Sequence, residues 1–543
     1  MKIYIAQLNY KIGDFKNNAK KIISEIEKAK EKKVDIVLFS ELAICGYPPE
    51  DFLLFDNFLD QMQNELNKIC LVCRDICVVL GTVRRNDFGE KRLCNSAVII
   101  IDQKIIGYKD KTLLPTYDVF DERRYFDSNE KQVVFEYKKK RVGILICEDL
   151  WEHTKVLTHV KYKLDPVEEI KKLNPDVVLN LSASPYYFKK QDLRINIFSK
   201  VSKYLSCSLI ICNQVGANDQ LVFDGNSMYF DRGNLKSSLE KFKEDFFLVD
   251  LNQTYNNLEI QSDPIEDLYN ALVLGVKDYF KKQNLKKAVI GLSGGIDSAM
   301  VLCIAKEALG KENILSLNMP SRFSSLGSME DSHKICENLD INLLDIPIDH
   351  VFQNYLDLLA PIFNKKPFDT TEENLQARIR GMILMAVSNK NGYVVLSTGN
   401  KSEMALGYVT LYGDMCGGLS VLLDVLKTQV YKLAKYVNRK KEIIPKEIIE
   451  KEPSAELKEN QKDIDDLPNY EIVDNVLISY IEDHLSIKEI IKKYSYDDII
   501  VNDLIKKIHL AEYKRRQNPI GIRVSKKSFT KGRYFPIVQG FVK

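Results

Sequence analysis

Residues 291–298, GLSGGIDS, have the types and spacing to hold a phosphate chain. The octapeptide follows an apolar run, KAVIGL, that reads as a buried strand. It precedes residues 299–305, AMVLCIA, which read as an apolar helix. Gly294 and Gly295 let the backbone turn tightly and approach a ligand closely. Free N–H groups at the start of the following helix, helped by its dipole, can hold an anion. Ser293 and Ser298 add hydroxyl donors, and Asp297 offers a hard oxygen ligand suited to Mg²⁺. No lysine stands where a Walker A loop requires Gly-Lys-Ser/Thr, so that class of phosphate loop is excluded.

A second set of residues suits acyl transfer. Cys147 ends the strand-like run RVGILIC, Glu41 follows VDIVLF, and Lys111 follows KIIGYKD. On neighbouring strands, all three would emerge at the same sheet edge. Only a small part of an ordinary thiol is ionised at neutral pH. A nearby carboxylate can take the thiol proton as sulfur attacks, and later activate water against the thioester. A fixed ammonium can stabilise the anionic tetrahedral intermediate. Taken singly, the cysteine reads as a small core residue and the two charges as solvated.

The elements that must position these residues alternate along the chain. Residues 1–250 carry strand-like runs from KIYIAQL to FFLVDL, with helical patterns at 17–32, 56–69, 165–173 and 190–205, which indicates a layered α/β sandwich. The polar stretch 251–264 reads as a linker. A helix then leads into KAVIGL and the βα units NILSLNMP, INLLDIPI and YVVLSTGN. Such a succession gives a doubly wound parallel sheet, with ligands at the carboxyl ends of its strands. Residues 445–470 read as a mobile surface loop.

The bulk properties agree. A chain of 543 residues is too long for one ordinary core, so two large domains are expected. A formal charge of +2 gives no global field for nucleic acid or membrane. No run of about 18 apolar residues is present, so no membrane span is expected. The N-terminus has no apolar signal core, and the 11 cysteines suit reduced cytoplasmic thiols. Cys70, Cys73 and Cys77 have metal-like spacing, but the same spacing lies on one helix face and no second ligand pair follows, so core packing is expected.

The pattern Ser-Gly-Gly-x-Asp-Ser resembles the pyrophosphate loop of the ATP pyrophosphatase family, which cuts ATP between its α and β phosphates and leaves an adenylylated substrate. The Glu–Lys–Cys order, with AQLNYKIGD, SELAICGYPPEDFL, KTLLPTYDVFDERRYF and ICEDLW, resembles the nitrilase (carbon–nitrogen hydrolase) superfamily. That resemblance implies Cys147 as nucleophile, Glu41 as general base and Lys111 as the oxyanion-stabilising group, with Glu122 as a second, structural glutamate. The segment NLSASPYYFKK resembles the amide-binding segment of the glutaminase members. It implies Ser184 and Lys190 beside glutamine, with Tyr117 from the lysine segment.

Nearly the whole chain resembles the glutamine-dependent NAD synthetase family, through QVGANDQLVFDGNS, TEENLQARIRG, LSTGNKSEMALGYVTLYGDMCGG, PSAELKENQKDIDDLPNYEIVD and EYKRRQNPIG. Ala217 departs from an expected glycine and Val409 from a common cysteine. The resemblance implies an N-terminal nitrilase-like α/β/β/α sandwich over residues 1–255. It implies a C-terminal doubly wound domain of the adenine nucleotide α hydrolase type over 256–543. It further implies hydrolysis of L-glutamine, passage of the ammonia inward, and adenylylation of deamido-NAD⁺ by ATP with Mg²⁺. Gly291, Leu292, Ser293, Gly294, Gly295, Ile296, Asp297, Ser298 and Thr398 would bind ATP. Asn374, Glu403 and Lys514 would bind deamido-NAD⁺, and Asp297 and Glu403 the metal. A homo-oligomer, an octamer, is implied as well. Two alternatives stand beside this reading: a different amide or thiol-transfer ligase using the same loop, and an amidase fused to a nucleotide-sensing module.

Overall fold

Runs such as Ile-Val-Leu at 36–38 and Val-Val-Leu-Asn-Leu-Ser at 177–182 are buried throughout, so each needs cover on both faces of its sheet. The computed structural model describes residues 1–87, 89–156, 160–454, 456–458, 461 and 468–542. It divides into two units, Met1–Asp263 and Pro264–Lys543.

The first unit supplies that cover by stacking two six-stranded sheets. One holds β1 (Lys2–Gln7), β2 (Ile36–Leu38), β3 (Cys77–Arg85), β4 (Leu93–Ile101), β5 (Lys104–Asp110) and a late antiparallel strand, Asp245–Asp250, beside β1. Within it, β1, β2 and β3 run parallel, while β4 and β5 continue as antiparallel hairpins. The other is built around β6 (Val133–Tyr137), β7 (Lys140–Ile146), β8 (Val177–Ser182) and β9 (Ser208–Asn213), with β7, β8 and β9 parallel. The strands Met228–Asp231 and Asn234–Ser238 complete it.

Ile3, Ile36 and Leu38 of one sheet meet Val142, Ile144 and Leu179 of the other in a shared core. Helices Phe15–Glu31 and Asp56–Val72 cover the first sheet from outside. Pro166–Lys172 and Lys190–Leu205 cover the second. The result is an α/β/β/α sandwich. Cys70, Cys73 and Cys77 are buried free thiols, but they do not share one helix face. Cys70 and Cys73 close the helix Asp56–Val72, whereas Cys77 opens β3 and enters the core between the sheets.

In the second unit five strands, all parallel, have the order Asn342–Asp345, Ile314–Asn318, Lys287–Leu292, Tyr393–Ser397, Leu419–Ser420. The chain enters at the central strand and winds outward on both sides. The strand order therefore reverses at Lys287–Leu292, where the loop 291–298 leaves the sheet. Helices pack on this sheet, and further helices close the chain over their own core. Within 445–470, Lys446–Glu450 is a short helix, and residues 455, 459–460 and 462–467 lie outside the described residues. Among the described residues, no helix is long and apolar enough to cross a membrane.

Candidate active sites

Glu41 lies three positions beyond β2, Lys111 follows β5 directly, and Cys147 follows β7 directly. The expectation of three neighbouring strands does not hold. β3 and β4 separate β2 from β5, and β7 belongs to the opposite sheet. The three residues meet because the two sheets are packed face to face on their shared core.

Lys111 is fully buried, and its ammonium stands 2.7 Å from Glu41 and 2.8 Å from Glu122. Burial alone would lower the Lys111 pKa. The two carboxylates overcome that and hold it well above the ordinary lysine value. Burial pushes the Glu122 carboxyl up to about 7, against the pull of Lys111. Glu41 is aimed by Asn95, whose amide donates over 2.7 Å, and by the Ala183 N–H over 3.0 Å. Burial, then the charge of Glu41, push the Cys147 thiol well above the usual cysteine value, with Lys111 pulling the other way. That environment favours the protonated thiol. Cys147 also sits in the left-handed region, at φ 41°, where a residue other than glycine is strained. Asn95 and Tyr47, whose hydroxyl donates to Glu122 over 2.9 Å, were missed from sequence. Both occupy ordinary strand and loop patterns that carry no signal of their role.

The three expected glutamine residues border this site. The Tyr117 hydroxyl donates to Glu148 over 2.8 Å, and Tyr162 donates to the same oxygen over 3.1 Å. Lys190 is buried. Its ammonium donates to the Pro185 carbonyl over 2.6 Å and lies 4.9 Å from the centre of the Tyr187 ring. Ser184 is held through its backbone, by Asn213 on its N–H at 2.9 Å and by Arg194 on its carbonyl at 2.6 Å. Burial raises the Glu148 pKa, opposed by Tyr117 and by the positive charges of Lys111 and Lys190. Sequence reading passed over Glu148 as a neighbour of the cysteine.

The second unit has a cleft of about 610 Å³ at the carboxyl ends of its strands. All eight residues 291–298 line it, as do Asn374, Thr398, Glu403 and Lys514. Gly294 takes φ 71°, and a Cβ there would collide with the Ser328 backbone. The Ser293 and Ser298 hydroxyls are 3.3 Å apart at the start of the helix Ile296–Leu309. Asn400 caps the helix Lys401–Leu406, accepting from the Glu403 N–H over 3.0 Å and donating to Asp297 over 3.0 Å. The Asn374 amide oxygen accepts from Thr410 over 2.6 Å. Lys514 donates to the carbonyls of Gly407 and Val409, each at 2.7 Å, so the unexpected Val409 contributes only backbone there.

Lys427 was missed from sequence. Its ammonium pairs with Asp297 and lies 3.1 Å from Glu403, joining two carboxylates separated by more than 100 positions. Burial opposes its charge, but Asp297 and Glu403 more than restore it. Two carboxylates facing one cleft are hard oxygen donors of the kind Mg²⁺ takes, so the donor set fits that metal. Arg380, another missed cleft residue, donates to the Met319 carbonyl over 3.0 Å. Burial lowers its pKa to about 10.

Fold and site together define a two-part enzyme, with a buried thiol, carboxylate and ammonium on a stacked-sheet sandwich and a glycine-looped cleft on a doubly wound sheet. Residues 2–256 match the carbon–nitrogen hydrolase family, and residues 268–518 match NAD synthase. The chain is 43% identical to the glutamine-dependent NAD(+) synthetase of Synechocystis sp., over 99% of both chains. It is 40% identical to that of Thermotoga maritima, over 100% of this chain and 99% of the relative. The solved glutamine-dependent NAD+ synthetase from Acinetobacter baumannii, in complex with adenosine diphosphate, superposes with a TM-score of 0.78 at 37% identity, over 99% of both chains. The chain belongs to the glutamine-dependent NAD(+) synthetases, ligases that use ATP as co-substrate.

Proposed function

We propose that this chain releases ammonia from L-glutamine at Cys147 and uses it to convert deamido-NAD⁺ to NAD⁺ in the cleft of the second unit. The observation that carries the reading is the meeting of Glu41, Lys111 and Cys147 in one buried site, in a chain that also holds the 291–298 cleft.

In the first unit Glu41 takes the thiol proton as Cys147 Sγ bonds to the amide carbon of glutamine. The Lys111 ammonium balances the charge that develops on the carbonyl oxygen. The proton passes to the leaving nitrogen, ammonia departs, and a thioester remains. Glu41 then deprotonates water, which attacks the thioester and frees glutamate and the thiol. Tyr117, Ser184, Lys190 and the carboxylate of Glu148 border the glutamine.

In the second unit the loop N–H groups, Ser293 and Ser298 hold the ATP phosphates, and Thr398 lies beside them. A carboxylate oxygen of deamido-NAD⁺ bonds to the α-phosphorus while pyrophosphate leaves. Ammonia then bonds to the carboxyl carbon and AMP leaves. Asn374, Glu403 and Lys514 orient the dinucleotide. Asp297 and Glu403 would hold Mg²⁺, which supplies neutralisation of the phosphate charge. The chain works as a homo-oligomer, an octamer by family resemblance. Incubation with glutamine, ATP and deamido-NAD⁺ tests the reading. One glutamate, one AMP and one pyrophosphate should form per NAD⁺, and ADP in place of AMP would overturn it.

A further inference from the structure

Asp149 is fully buried two positions after Cys147. One of its carboxylate oxygens accepts the N–H groups of Thr112 at 3.1 Å and Leu113 at 2.8 Å, the two residues after Lys111. The other accepts the N–H of Ile146 at 3.0 Å, the residue before Cys147. The buried ammonium of Lys109 stands 4.0 Å from that second oxygen and donates to the Thr112 hydroxyl over 2.7 Å. β5, which ends at Asp110, pairs in its sheet with β4, and β7, which ends at Ile146, pairs with β6 and β8. Among the described residues, no ladder hydrogen bond therefore sets the spacing between Lys111 and Cys147. A buried carboxylate is costly unless donors surround it, and here the donors flank the two reacting groups on either side of the sheet stack.

We infer that Asp149 is a positioning residue of the glutaminase site: its one carboxylate fixes the Lys111 segment to the Cys147 turn across the two sheets. It acts through both backbones. The inference rests on Cys147 being the nucleophile.

The test uses Asp149→Asn and Asp149→Ala in the full chain, with Cys147→Ala in parallel. Asparagine keeps the shape. Its single oxygen can serve the Thr112–Leu113 pair or the Ile146 donor, but not both. Glutamine hydrolysis is measured per folded molecule, with the folded fraction read from the emission of Trp151, which lies in the same turn. Misplacing a reacting group by about 1 Å can cost about 100-fold in rate. We expect kcat to fall about tenfold in Asp149→Asn and about 100-fold in Asp149→Ala. The glutamine KM should stay within about twofold, and synthesis from added ammonium should be unchanged. If Asp149→Ala does not fold, Asp149→Asn decides alone. A normal kcat per folded molecule in Asp149→Asn would overturn the inference and leave Asp149 as a structural tie. Retained hydrolysis by Cys147→Ala would instead overturn the nucleophile reading beneath it.

Discussion

The Lys111 ammonium sits 2.7 Å from a carboxylate oxygen of Glu41, and both side chains are almost wholly withdrawn from water. They leave the same sheet on strands separated by two others. The groups proposed as base and oxyanion stabiliser are thus held in contact. Such prior arrangement is what makes an electrostatic contribution large in a dry site.

Cys147→Ala is expected to abolish glutamine-dependent NAD⁺ formation and to spare formation from added ammonium. On the proposed reading the sulfur serves amide cleavage, whereas the cleft lined by residues 291–298 is built within the second unit. Assaying both nitrogen sources on one preparation checks this, and loss of both activities in a folded protein would refute the division of labour.

Lys111→Met is expected to lower glutamine turnover by about 10²–10³. It also leaves Glu41 and Glu122 without their shared cation, which should cost about 3–5 kcal/mol of stability in the first unit. The single tryptophan, Trp151, lies in that unit, so urea unfolding followed by its fluorescence reads the loss directly. Turnover within about twofold of the parent would remove Lys111 from the mechanism.

The Asp297 carboxylate is tied to Lys427 and Asn400 and shares Lys427 with Glu403. Asp297→Asn should therefore reduce synthesis from either nitrogen source while leaving glutamine hydrolysis intact. The deficit should deepen as Mg²⁺ is lowered. Pyrophosphate release that matches the parent at limiting Mg²⁺ would rule out a metal role for Asp297.

Glu122 gives a signed pH effect. Its carboxyl is raised from 4.5 to about 7 by burial, so the folded state binds its proton more tightly than the unfolded chain does. Stability from this group is full below about 4.5 and falls as pH rises toward 7. Glu122→Gln removes the titration, so its stability relative to the parent should rise across that window. Urea midpoints from Trp151 emission at several pH values test the sign, and a constant offset between the two proteins would show that Glu122 does not titrate there.

Local sequence carried the cleft loop of the second unit almost whole. GLSGGIDS is contiguous, φ 71° at Gly294 demands a glycine there, and an apolar strand and helix bracket it. The thiol site was legible as three residue types just beyond strand ends, because the end of a strand announces where a side chain can leave a sheet. Asn95, Tyr47, Glu148 and Lys427 were not legible. Each sits in a pattern that an ordinary strand, loop or helix start also produces, and each matters through a partner at least 14 positions away.

By itself the sequence determined which chemistry was available: a thiol, a carboxylate and an ammonium in one half, a glycine-rich anion loop with an aspartate in the other. Tertiary structure alone decided how those groups face one another. Glu41 and Lys111 come from one sheet and Cys147 from the other, so their meeting depends on the apolar faces that press the two sheets together. Side-chain alternation along a strand is a local property that can be read in order. The partner across a sheet stack is chosen by burial of surface from the whole domain, and no local spacing encodes it.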